Sequence, residues 1–146
     1  MRESTHKYGA PKILGLADVT TTAWHGCGLA EMGEGDVIRV WGCDPVGLLT
    51  QRLTKLRGAK KVYVIDKDAR RLAIAKSFRI IPIHVSLHED PAEYILAIEP
   101  HGLDRGIEAS GFRSTNSAEH KAMRMDGLEG DSSDTVSVAM KATRKC

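Results

Sequence analysis

A chain of 146 residues predicts one domain, large enough to bury a core of its own. Its 21 Lys and Arg against 19 Asp and Glu leave a net charge of +2, too balanced for a nucleic-acid or membrane-surface binder. With 42% hydrophobic and 27% charged residues it is an ordinary globular composition, and disorder is excluded as its main state. The longest strictly apolar stretches, Val62 to Ile65 and Tyr94 to Ile98, fall far short of the roughly 18 residues that span a bilayer. The opening MRESTHKYGA has no signal-peptide core, so a cytoplasmic protein is expected. Cys27, Cys43 and Cys146 form no CxxC pair and are odd in number, which predicts reduced, packed thiols rather than a disulfide framework.

In chain order, residues 1–12 are polar and read as an irregular arm. DVIRVW (36–41), set between glycines, reads as a strand. Val46, Leu49, Leu53 and Leu56 fall at i, i+3, i+7 and i+10 and predict the stripe of an amphipathic helix, closed by Gly58 just past its C-terminus. KVYVID (61–66) is a second strand, apolar almost throughout as in a sheet covered on both faces. Ala69 to Phe78 predicts a helix with Leu72, Ala75 and Phe78 on one side. IIPIHV (80–85) then reads as a strand, PAEYILAI (91–98) as a helix and LDRGIEAS (103–110) as a weaker strand. A Ser/Asn-rich turn and helical patterns near 116–125 and 132–143 follow. This alternation predicts βαβ units on a parallel sheet, an α/β fold.

GCDPVG, from Gly42 to Gly47, joins the first strand to the first of these helices. A glycine at the strand end makes the tight turn, and the last glycine lets the helix pack close. The helix N-terminus then presents N–H groups to a pyrophosphate. Pro45 suits the first helical turn, where its missing N–H costs nothing. Asp66 stands 24 positions after Gly42 at the tip of the second strand, where a dinucleotide-binding unit places an acid for the adenosine ribose hydroxyls. Such a carboxylate repels a 2′-phosphate and favours NAD over NADP. On its residues alone Asp66 also reads as an N-terminal cap of the next helix, and Lys67, Arg70 and Arg71 as a solvated helix face.

The runs DVTTTAWHG, GDVIRVWGCDPVGLLTQRLTKLRGAKKVYVIDKDARRLAIAKSF and GLDRGIEASG, in that order, closely resemble the zinc-type, medium-chain alcohol dehydrogenases. The resemblance is strongest to the branch near glutathione-independent formaldehyde dehydrogenase and spans residues 12–145. It implies an incomplete Rossmann-type doubly wound sheet over residues 36–146, binding NAD, with 13–35 leading out of an absent catalytic domain. Residue by residue, it implies that Asp18 is the third ligand of a catalytic zinc and that Thr22 lies beside the nicotinamide. Val46 would sit behind that ring, Asp66 and Arg71 would meet the adenosine ribose, and Ala109 and Ser110 would line the adenosine side. Gly42, Asp44, Pro45 and Gly47 fall on the pyrophosphate loop. Without the resemblance Asp18 is an ordinary helix cap, and His25, typical of the motif, reads as a positioned structural residue.

A catalytic zinc takes three protein ligands and an open position. Asp18 and six scattered histidines do not supply them. The family's remaining ligands, its proton relay and its structural-zinc lobe belong to regions outside these residues. Its sheet also continues past KATRKC, which leaves the fourth strand as an edge.

Three residues depart from the family pattern. Asp44 replaces the second glycine of the phosphate loop. A carboxylate about 4 Å from a phosphate charge costs on the order of 1 kcal/mol at water-like dielectric and about 4 at an effective 20, a roughly 5- to 1000-fold loss of affinity. Arg79 replaces a helix-closing glycine, at about 1–2 kcal/mol if the backbone there is left-handed. Arg39 puts a charge in the central strand, expensive unless paired. A contrary reading has Asp44 select a cationic ligand. The expectation is a truncated NAD-binding domain of a zinc-dependent alcohol or formaldehyde dehydrogenase, an oxidoreductase without turnover by itself. The alternative is a non-catalytic nucleotide-binding or interaction protein that pairs with full-length dehydrogenase subunits.

Overall fold

A computed structural model describes residues 18–110. The expected N-terminal arm, the Ser/Asn-rich turn, the two later helical patterns and Cys146 lie outside the described residues. The elements are α1 (Val19–Leu29), β1 (Val37–Trp41), α2 (Pro45–Leu56), β2 (Lys61–Asp66), α3 (Ala69–Ser77), β3 (Ile81–His84), a 3-10 turn (Val85–Leu87), α4 (Pro91–Ile98) and β4 (Arg105–Glu108). All strand pairings are parallel, in the order β3-β2-β1-β4.

The strands and helices predicted between residues 36 and 110 are therefore present. From β1 the chain steps outward through β2 to β3, with α2 and α3 packing Leu48, Leu53, Leu72 and Phe78 against Ile38, Val40, Val62 and Val64. It then crosses to the other face, where Ile95 of α4 packs on Trp41, Tyr63, Ile65 and Ile83. The return sets β4 on the free side of β1, so the direction of winding reverses between β1 and β4. In open parallel sheets that reversal opens a crevice at the carboxyl ends of the strands.

One local expectation is corrected. The fully buried face of α2 is Gly47, Thr50, Gln51 and Thr54; of the leucine stripe, Leu53 packs partly buried on the core and Leu56 is 80% exposed. The reason is α1, a helix that hydrophobic patterning does not announce because it is rich in Thr and Gly. It packs Ala23, Gly26 and Cys27, and small residues on both helices let the backbones approach. The buried hydroxyl of Thr54 is satisfied within α2, donating to the Thr50 carbonyl at 2.7 Å. Cys27 and Cys43 are free thiols and both are buried, as expected.

Gly58 ends α2 at φ +92°, with the Ala59 N–H reaching back to the Thr54 carbonyl at 3.3 Å. Arg79 makes the equivalent left-handed turn after α3 at φ +61°, a conformation that costs a side-chain-bearing residue about 1 kcal/mol. Arg39 is buried over the Trp41 ring at 5.6 Å. Burial pulls its pKa down, while the charges of Glu108 and Asp90 oppose that shift.

Candidate functional site

At the carboxyl end of β1 the Gly42 N–H still donates to the Ile65 carbonyl, at 2.8 Å. The chain then turns at φ +102°. A Cβ on Gly42 would lie 2.8 Å from the Ala109 carbonyl, and one on Gly47 would lie 2.2 Å from the Gly42 oxygen. Glycine is required at both positions because backbone meets backbone there. Ala109 is held against the same turn by its N–H, which donates to the Trp41 carbonyl at 2.7 Å. Ser110 follows, its N–H and hydroxyl both donating to Glu108.

Asp44 is the N-cap of α2 in extended backbone, with Pro45 in the first helical turn. Its Oδ1 accepts the Gly47 N–H at 2.7 Å and its carbonyl accepts the Leu48 N–H at 2.9 Å. Asp66 accepts the Cys43 N–H on Oδ2 at 2.6 Å and the Asp68 N–H on Oδ1 at 2.7 Å, tying the two strand ends together. It is not the cap of α3. That residue is Asp68, which accepts the Arg70 and Arg71 N–H groups at 2.9 and 3.4 Å. Arg70 above all, through its side chain, holds the Asp68 carboxyl below its ordinary range. Arg71 also leans on Asp68, at 3.9 Å.

Behind the loop, Gln51 is fully buried and donates to the Gly42 carbonyl at 3.2 Å and to Cys43 Sγ at 3.5 Å, while its Oε1 has no partner. Burial pushes the Cys43 thiol up to about 11, so it stays protonated and unreactive at neutral pH. Gln51 and Asp68 are the residues that sequence reading missed. A capping residue just ahead of a helical pattern was a usable signal for Asp68. A lone Gln inside an amphipathic helix gave none.

The fold thus gathers Gly42, Asp44, Pro45, Gly47, Asp66, Ala109 and Ser110 around the reversal point, with Val46 half-buried beside them. Asp18 and Thr22 lie apart from that network at the start of α1, where the Thr22 N–H donates to the Asp18 carbonyl at 3.0 Å. The Asp18 side chain is exposed and makes no cap bond. Among the described residues no group of three or more His, Cys, Asp or Glu is arranged to hold a metal ion, so Asp18 has no partners for zinc. His25 is exposed on α1 rather than packed in a structural role. No described helix is long and apolar enough to cross a membrane.

No protein-family model matches the chain. A zinc-type alcohol dehydrogenase-like protein of Schizosaccharomyces pombe is 37% identical over 131 residues, covering 89% of this chain and 31% of that protein. A glutathione-independent formaldehyde dehydrogenase of Bacillus subtilis is 33% identical over 102 residues, 68% of this chain and 25% of its own. Among solved structures, alcohol dehydrogenase TADH from Thermus sp. ATN1 superposes with a TM-score of 0.62 at 31% identity, over 65% of this chain and 28% of that one. The chain belongs to the zinc-type alcohol dehydrogenase family. It spans about a third or less of the length of the curated relatives it matches. A second solved structure, titled a short chain alcohol dehydrogenase from Escherichia coli CFT073 complexed with cofactor NADH, is 25% identical with a TM-score of 0.59, over 66% of this chain and 29% of that one.

Proposed function

We propose that this chain is the nucleotide-binding unit of a zinc-type alcohol dehydrogenase-like oxidoreductase and takes the adenosine end of NAD(H) in the crevice at the β1–β4 reversal. The observation that carries this reading is Asp66. Each of its oxygens accepts one backbone N–H, and each keeps a second lone pair for a ribose hydroxyl. Gly42 and Gly47 clear the floor of the crevice, and Ala109 and Ser110 form its adenosine side. Val46 and Thr22 are the residues assigned to the nicotinamide half, which when bound supplies the hydride acceptor of the family's reaction. Arg71 is the basic residue assigned to the ribose, although its guanidinium leans on Asp68.

The zinc does not fit. Asp18 is one exposed carboxylate without a second or third ligand among the described residues, and no step is assigned to a metal here. Alcohol oxidation by the chain alone is therefore not expected. Purified chain with added zinc, NAD and a panel of alcohols should form no NADH.

Calorimetric titration with adenosine tests the binding reading. Saturable binding to the unmodified chain, weakened at least tenfold in a folded Asp66→Asn variant, is the expected result. Equal binding by the two proteins, or none by either, would refute it.

A further inference from the structure

The phosphate-receiving side of this crevice is already neutralised from within. A pyrophosphate at a helix N-terminus is held by backbone N–H groups. Here the Gly47 N–H donates to Asp44 Oδ1 at 2.7 Å and the Leu48 N–H to the Asp44 carbonyl at 2.9 Å. The Cys43 N–H goes to Asp66 at 2.6 Å, and Pro45 has no N–H to give. Behind the turn, Gln51 directs its amide donor to the Gly42 carbonyl and presents only an unpartnered oxygen besides. An incoming anion therefore meets two carboxylates, and in the first turn of α2 the Val46 N–H is the donor left to it. A ribose meets an acceptor, Asp66, with lone pairs to spare.

Resting on the binding reading above, we infer that Asp44 makes this a nucleoside-selective site, in which affinity falls as phosphates are added to adenosine. The carboxylate acts twice, by occupying the helix N-terminus as its cap and by repelling phosphate charge. A ligand that carries a diphosphate must displace the cap and still face the charge. Uncharged adenosine does neither.

The test is a series of calorimetric titrations of the full chain with adenosine, AMP, ADP and NADH, each repeated with Asp44→Asn and Asp44→Gly. Asn caps a helix as well as Asp does, so the Asn variant keeps the fold and removes only the charge. The unmodified chain should bind adenosine most tightly, with ADP and NADH weaker by on the order of tenfold. That gap should narrow in Asp44→Asn, which keeps the cap, and reverse in Asp44→Gly. Added salt should strengthen ADP binding to the unmodified chain by screening the repulsion.

ADP binding the unmodified chain as tightly as adenosine would overturn the inference, and so would one rank order shared by all three proteins. The nucleotide reading itself fails in a different way. In that case adenosine binds none of the three, although circular dichroism shows each folded, and the inference falls with it.

Discussion

On one face of the sheet Ile38, Val40, Val62 and Val64 are wholly buried under α1, α2 and α3, whereas on the other Trp41, Tyr63 and Ile65 meet Ile95 of α4, with Arg39 over the Trp41 ring. Strand alternation produces the split, since neighbouring residues of β1 and β2 point to opposite faces. The first face is dry and aliphatic, and its helices approach through Gly26, Cys27, Gly47 and Thr50. The second carries a buried guanidinium and a polar cluster in which Glu99 pairs with Lys61 and accepts the Tyr63 hydroxyl at 2.5 Å. Most of the packing energy belongs to the first face, and the titrating pair Tyr63 and Glu99 belongs to the second.

The sharpest way to break this contrast is Ile38→Ala. Truncating a fully buried branched side chain in the aliphatic face should cost about 3–4 kcal/mol, seen as a lowered urea midpoint with an unchanged slope. Arg39→Leu probes the other face. Removing the guanidinium from the field of Glu108 and Asp90 should cost about 2 kcal/mol in the same assay. An unchanged or raised midpoint would show that burial of the charge outweighs what those carboxylates return.

Arg79→Gly should relieve the left-handed turn after α3 and raise stability by about 1 kcal/mol, or roughly 4 °C in Tm. The smallest effect concerns pH. Burial first, and then the Glu99 hydrogen bond, push the Tyr63 hydroxyl from its ordinary 10 up to about 12. A folded-state pKa above the unfolded value means that the stabilisation is complete below pH 10 and is lost between 10 and about 12. Tyr63→Phe should flatten the fall of Tm across that window. On the acid side, hydrogen bonds from Lys61 and then Tyr63 hold Glu99 below its ordinary range. Its contribution is present at neutral pH and disappears as pH falls through that lowered pKa.

The elements with strong local chemistry were legible in the sequence. KVYVID and PAEYILAI match β2 and α4 residue for residue. Gly58 and Arg79 both take the left-handed backbone that their positions imply, and the turn from Gly42 to Gly47 lies where its glycines put it. What stayed hidden depends on a partner distant in the chain. The fully buried face of α2 is set by α1, so a leucine stripe read in isolation finds only its edge, at Leu53. The cap of α3 is Asp68 rather than Asp66 because Asp66 still belongs to β2, while Asp68 directly precedes the first helical residue. The electrostatic cost assigned to Asp44 was visible from its identity, whereas its capping of Gly47 needed coordinates.

The two tryptophans occupy opposite extremes of this architecture. Trp41 precedes the Gly42 turn and is 8% exposed, while Trp24 on α1 is 53% exposed with Arg57 stacked over its ring at 4.2 Å. Ultraviolet emission from the chain therefore has two separable parts. One is a short-wavelength component that collisional quenchers do not reach, and the other is a long-wavelength component that they extinguish. A ligand entering beside Gly42 should perturb the first and leave the second alone, so the molecule carries an optical reporter beside its own crevice and a reference signal away from it.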